Sequence, residues 1–200
     1  MKMKNILMAA LAVCSVIPAH ADLFQYTVNF SGANESPANT SPGTGSGTVD
    51  YDNTAHTLTL QVTFTGLNGL TTASHIHGPT LNPFALNAGV ATTTPSLVGF
   101  PLGVSSGSFS GVLDLTLTSS YNPGFVTANG GTSLGAETAL GIAMEAGKTY
   151  WNIHSSTVGG GEIRGFLVPV PEPGALAFAG LAAAGLVVGV WGRKGRAKQS

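Results

Sequence analysis

The chain runs to 200 residues and carries only 8 Lys or Arg against 9 Asp or Glu, a formal net charge of −1. Charge this sparse excludes a nucleic-acid binder, which needs clustered cations, and 43% hydrophobic residues, many at regular spacing, exclude a disordered chain. A single cysteine, Cys14, rules out an intramolecular disulfide, so a packed core has to hold the fold unaided.

At the N-terminus, Lys2 and Lys4 lead into an apolar run over 6–17, and Ala19-His20-Ala21 places small residues at the −3 and −1 positions. That order predicts a secretory signal peptide over 1–21, removed by signal peptidase to leave Asp22 first. The run is shorter than the ~20 residues a bilayer-spanning helix needs. The domain that remains, 22–169, has eight acids and two bases, Lys148 and Arg164, for a net of −6. Its solubility falls to Ser, Thr, Asn and Gly.

Within this domain Phe24, Tyr26, Val28 and Phe30 alternate with polar residues, as do Leu58, Leu60, Val62 and Phe64. Period two is the mark of a half-buried strand. Phe109, Val112, Leu113, Leu115 and Leu117 alternate with a shift that predicts a bulge near Gly111. Shorter strands are predicted at 47–51, 72–77, 149–154 and 162–168. Turn signals such as Pro42-Gly43, Gly78-Pro79, Pro123-Gly124 and Gly159-Gly160-Gly161 separate them. One helix is predicted over 134–146, ended by Gly147. The pattern predicts an all-β domain, a Greek-key β-sandwich or barrel, immunoglobulin-like or superoxide-dismutase-like.

The chemistry centres on histidine. His75 and His77 stand at i and i+2 on a predicted strand and so project to one face, and His154 ends another predicted strand. Two readings stand. The imidazoles pin loops by bonding carbonyls or stacking on Tyr150 or Trp151, or all three hold copper or zinc, metals that neutral imidazole suits. Glu162 and Arg164 share a face and are predicted to pair as a structural clamp. Asp50 and Asp52 read as a solvated edge and His56 as an exposed turn residue. There is no Gly-x-Ser-x-Gly elbow, phosphate-cradling loop or cysteine nucleophile, so no enzyme activity is predicted.

At the C-terminus, Val170-Pro171-Glu172-Pro173 precedes an apolar run over 174–191, and Arg193, Lys194, Arg196 and Lys198 follow it. A helix of that length reaches about 27 Å, enough to span a bilayer core barely, with the cations on the cytoplasmic side. By physics alone it serves equally as a permanent anchor. The Pro-Glu-Pro, helix and basic tail of 170–200 resemble the PEP-CTERM sorting signal. The resemblance implies a Gram-negative bacterium and cleavage near Pro171, Glu172 and Pro173 by an exosortase. The inner-membrane anchor is then transient, and the cell surface or extracellular matrix is the destination.

Four further segments fall in order: Phe30-Ser31-Gly32-Ala33-Asn34-Glu35-Ser36-Pro37, His75-Ile76-His77-Gly78-Pro79, Gly147-Lys148-Thr149-Tyr150-Trp151-Asn152-Ile153-His154 and Gly160-Gly161-Glu162-Ile163-Arg164-Gly165. Together they resemble the CHRD domain, named from chordin. Ser36 departs from the family's usual apolar residue before the proline, and Ser155-Ser156 from its threonine and small residue. The resemblance implies an all-β domain of secreted or surface proteins and no established reaction. The expected role is a binding or structural module in the cell envelope or extracellular polymer matrix, with exopolysaccharide or surface proteins as partners. The alternative is a metal-binding protein using His75, His77 and His154.

Overall fold

A computed structural model describes residues 23–171. The predicted signal peptide, the 174–191 run, Glu172, Pro173 and the basic tail with Arg193, Lys194 and Arg196 lie outside the described residues. Among the described residues no helix is long and apolar enough to cross a membrane.

Three nine-residue strands, β1 (Leu23–Ser31), β2 (Thr44–Asp52) and β3 (Thr57–Thr65), form a meander with unbroken register from Leu23↔Asp52 to Ser31↔Thr44 and from Thr44↔Thr65 to Asp52↔Thr57. Their alternation puts Tyr26, Val28, Phe30, Val49, Leu58, Leu60, Val62 and Phe64 in the core. Each such side chain contributes roughly 1.5–3 kcal/mol by leaving water. Gly47 stands between Val28 and Val62, where a Cβ would come within 2.4 Å of the Gln61 carbonyl. The middle strand is thinned so that its bulky neighbours can meet.

The chain then crosses to the far edge. β4 (Thr71–His77) pairs with β6 (Tyr150–Ser155), β6 with β7 (Ile163–Phe166), and β7 with β1, which also takes the two-residue β8 (Val168–Pro169). β5 (Gly107–Asp114) lies against β3. The result is one antiparallel sheet, ordered β4-β6-β7-β1-β2-β3-β5, curled into a half-barrel. Loop residues just before β5 reach the β4 edge, with the Thr71 amide donating to the Val104 carbonyl at 2.8 Å and Gly103 donating to Thr71 at 2.8 Å.

Two helices join β5 to β6. α1 (Pro123–Ala128) starts with Asn122 as its cap and Pro123 in the first turn, so the turn signal at Pro123-Gly124 is also a helix start. α2 (Ser133–Glu145) is capped by Thr132, whose side chain accepts from the Gly135 amide at 3.1 Å. It ends in a Schellman turn: Gly147, at φ +66°, donates to Met144, and Lys148 donates to Ala143. Ala136, Leu140 and Met144 of α2 join Tyr26, Val49 and Leu58 in the core. Trp151, fully buried, meets Phe30 edge-on at 5.5 Å and donates its indole N–H to Ser74 at 2.7 Å.

The bulge expected near Gly111 is absent. β3 and β5 keep register through Leu60↔Gly111, and the irregularity lies instead between Thr71 and Ala73 on β4. Gly111 takes an inward position, and the Phe109 ring folds across it so that an added Cβ would lie 2.5 Å from the ring. The apparent phase shift in the sequence is a ring occupying its neighbour's place. Gly111→Val is therefore expected to cost about 1–3 kcal/mol by overpacking, while Val112→Ala, at a position 62% exposed, should stay within about 0.5 kcal/mol. Urea unfolding of both variants checks the contrast.

Candidate metal centre

On β4, Ser74 and Ile76 face the core, so His75 and His77 face outward. Register then builds a polar row on that outer face. His75 lies opposite Asn152, which lies opposite Arg164; His77 lies opposite Tyr150; and His154 is opposite Ala73 on the diagonal from His75. An outer face is ordinarily wet, yet His75 and His77 are only 6% and 8% exposed. The excursion over 78–97 runs along the free edge of β4 and covers them, with Ala91 donating to the Ile76 carbonyl and Leu97 to the Ser74 carbonyl.

The loops do more than cover. His75 Nε2 donates to the Pro95 carbonyl at 2.6 Å, His77 Nδ1 to Ala88 at 3.0 Å and His154 Nδ1 to Gly159 at 3.0 Å. Each ring has its proton committed to a backbone carbonyl, and each turns its other nitrogen inward. His75 Nδ1 stands 3.3 Å from His154 Nε2, the buried His77 Nε2 has no partner among the described residues, and the three inward nitrogens lie within 4.8 Å of one another. Burial opposes the charged form of all three and lowers their pKa, that of His77 to about 4 despite its bond to Ala88. Neutral rings in these tautomers point lone pairs at lone pairs. Two nitrogens held at ~2.0–2.1 Å by a tetrahedral ion would lie about 3.3 Å apart. The arrangement fits a cation bound by neutral imidazole, with each ligand's second nitrogen fixed from behind.

Behind His77 stands a second buried cluster. Tyr150 stacks on the His77 ring at 4.8 Å and 10°, and the Arg164 guanidinium covers the other face of Tyr150 at 4.5 Å. Arg164 donates to the carbonyls of Asn34 and Leu86 and to the Asn87 side chain, and lies 3.9 Å from the Glu35 carboxylate. Asn152 donates to Glu35 at 3.1 Å. Burial raises the Glu35 pKa to about 7, although Arg164 pulls the other way.

The expected pairing of Glu162 with Arg164 is not formed, because loop geometry gives each a different partner. Glu162 accepts from Ser41 Oγ at 2.6 Å and from the amides of Asn68 and Gly69, and Arg164 takes Glu35. Burial pushes the Glu162 carboxyl up, but hydrogen bonds from Ser155, Ser41, Asn68 and Gly69 hold it below the ordinary carboxylate range. His56 is not a solitary turn residue either: its Nδ1 lies 2.9 Å from the buried Glu137 of α2. Asp52 caps its turn through the Thr54 and Ala55 amides, and Asp50 sits at the strand surface. Sequence reasoning missed Glu35 and Asn152. The alternation Tyr150, Asn152, His154 carried the second of these, since the rule that joins His75 to His77 puts all three on one face.

Glu35 generates a pH effect. Its folded pKa lies above the unfolded 4.5, so the stability tied to its proton is full below pH 4.5 and is lost as pH rises to about 7. Glu35→Gln removes this slope, and the histidine contributions, equal in both proteins, cancel in the comparison. The variant should gain on the wild type between pH 4.5 and 8, as read from urea midpoints; a constant difference would contradict the burial account.

Comparison with known sequences agrees with the segments picked out above. Residues 26–167 match the CHRD domain, and residues 169–194 match the PEP-CTERM protein-sorting motif. No curated protein and no solved structure matches the chain. The first match covers well over half of the 200 residues, and the second marks a secreted protein with a transient C-terminal membrane anchor. The chain belongs to the CHRD-domain family, as an exported member carrying the sorting signal that an exosortase-type enzyme processes.

Proposed function

We propose that this exported protein holds one copper or zinc ion on His75, His77 and His154, and that after sorting it serves as a metal-bearing module of the cell surface or extracellular polymer matrix. One observation carries the reading: three imidazoles, two buried and one half-buried, have their N–H groups committed to the Pro95, Ala88 and Gly159 carbonyls while their free nitrogens converge. A purely loop-pinning role accounts for the outer bonds. It gives no reason for His77 Nε2 to be buried without a partner among the described residues, nor for two acceptors to face each other at 3.3 Å. Soft thiolate ligands are absent from the trio, which suits borderline metals. Three protein ligands leave a fourth position for water or another donor, the usual form of a site that exchanges or activates what it binds. Exopolysaccharide and neighbouring surface proteins remain the partners expected of such a module.

The test is elemental analysis of the full-length chain, purified in detergent and dialysed against zinc or copper. The wild type should retain about one ion per chain and the His75→Ala/His77→Ala variant none. Thermal unfolding gives a second readout, since ligand at a hundredfold excess over Kd stabilises by about 2.7 kcal/mol, and a chelator should remove that gain. Metal retained equally by both proteins, or by neither, ends the proposal. The sorting reading has its own check: replacing Pro171, Glu172 and Pro173 with alanine should leave the chain in the membrane fraction, and unchanged release would count against it.

A further inference from the structure

We propose that Tyr150, held in place by Arg164, is the positioning residue for His77: it fixes the plane and tautomer of that imidazole so that Nε2 stays aimed at the metal. The inference rests on reading the three histidines as a metal site and goes beyond it by naming what sets the geometry of the third ligand.

His75 Nδ1 and His154 Nε2 already face each other at 3.3 Å. His77 is the ligand that has to be brought to them, with its ring centroid 5.8 Å from His75 and 6.0 Å from His154. Two contacts define its orientation. The Tyr150 ring lies parallel to it, at 10° and 4.8 Å, and so restricts its rotation. The Ala88 carbonyl accepts from its Nδ1 at 3.0 Å and so selects the tautomer with Nε2 free. Tyr150 controls both. Its hydroxyl accepts from the Ala88 amide at 3.3 Å and donates to the same Ala88 carbonyl at 3.2 Å, so ring and carbonyl are set by one side chain.

Arg164 locks the assembly from behind. Its guanidinium lies over the Tyr150 ring at 4.5 Å and over the adjoining Phe166 ring at 5.3 Å. Its Nη1 donates to the Leu86 carbonyl at 3.1 Å and to Asn87 Oδ1 at 2.7 Å, two and one residues before Ala88. Leu86 has φ +68°, a left-handed backbone that a leucine seldom adopts. Such a conformation persists where its surroundings over-determine it, and it gathers at functional sites. Arg164 is only 2% exposed, and while its Nε turns to the Asn34 carbonyl and the Glu35 carboxylate, its Nη1 serves this loop. A strained loop, a buried cation and a stacked phenol therefore converge on one imidazole and one carbonyl.

The experiment uses the full-length chain, copper(II) as the probe, and two readouts: affinity by competition with a chelator, and the frozen-solution EPR spectrum at saturating copper. Loss of a group that orients a ligand from behind weakens metal binding about 10–100-fold. Tyr150→Leu should show that loss together with changed copper hyperfine splitting. Tyr150→Phe, which keeps the stack but loses the hydroxyl that holds Ala88, should recover only part of the affinity, with a spectrum between those of the wild type and the Leu variant. A general loss of stability would not change the spectrum of the copper-saturated site. If Tyr150→Leu does not fold, Arg164→Lys decides, because it keeps the charge but loses the planar fork on Leu86 and Asn87; the expected result is weaker binding with an altered spectrum. Wild-type affinity and spectrum in the Leu variant, or in the Lys variant where that one decides, overturn the positioning role and leave the metal site standing. A wild type that takes up no copper or zinc overturns both.

Discussion

Inside the outer layer of this half-barrel, three imidazoles give their protons to backbone carbonyls and turn their lone pairs toward one another. Apposed acceptors repel, and each ring also loses its hydration on burial, so the cluster is unfavourable taken alone. It persists because the surrounding loops leave the rings no alternative. Pro95 and Ala88 belong to the excursion that seals the β4 edge, and Gly159 belongs to the turn between β6 and β7. Protonating one ring would satisfy the geometry with a bridging hydrogen bond, but burial disfavours the imidazolium at every one of the three positions. A cation of another kind relieves the same repulsion without that cost.

The rest of the outer layer follows from the same demand. A sheet that buries polar groups on its second face has to satisfy them, since an unpaired buried donor or acceptor costs about 1–3 kcal/mol. The protein supplies carbonyls and amides from loops. Asn34 donates to the carbonyls of Asn29 and Arg164, Asn39 to that of Glu162, and Glu162 gathers the Asn68 and Gly69 amides. This explains how a domain with eight acids and two bases can bury Glu162 and Arg164, while side chains serve the other two, Asn152 at Glu35 and Tyr51 with His56 at Glu137. Buried charge here is a matter of hydrogen-bonded loops more than of ion pairs, and the nearest buried pair, Arg164 with Glu35, is long at 3.9 Å.

The sequence made the inner face legible and the outer face only in part. Period-two alternation marks β1 and β3 because their inward residues are large and apolar, and the Schellman glycine marks the end of α2 within one residue. Alternation misled at Gly111, where a glycine and a folded-over Phe109 mimic a change of phase. α1 went unseen because Asn122-Pro123-Gly124 signals both a break and a helix start, and six residues are too few for a period to appear. His75 and His77 are legible because i, i+2 spacing has only one meaning on a strand, and His154 because it ends another predicted strand. Partners reached across loops were not, since nothing local joins Glu35 to Arg164 at a separation of 129 residues, or His56 to Glu137 at 81. Glu162 falls one residue before β7, which starts at Ile163, so the shared-face rule does not reach it, and loop amides set its pairing.

The sorting segment and the histidine cluster belong to different ends of the sheet. The chain enters the sorting segment from β8, where Val168 and Pro169 lie opposite Thr27 and Tyr26, and Val170 makes the last bond to Gln25 at 2.8 Å. The row that carries His75, Asn152 and Arg164 meets β1 at Ser31 instead. Five residues of extended strand separate Ser31 from Tyr26, about 17 Å at ~3.3 Å per residue. None of the carbonyls that fix the imidazoles, at Ala88, Pro95 and Gly159, comes from the sorting segment. Cleavage near Pro171 therefore removes no part of the site, and the covering loops depend only on residues of the domain. The same construction places the constraint elsewhere: a change at Glu35, Asn87 or Arg164, none of them in the sorting segment, reaches His77 through Tyr150 and Ala88.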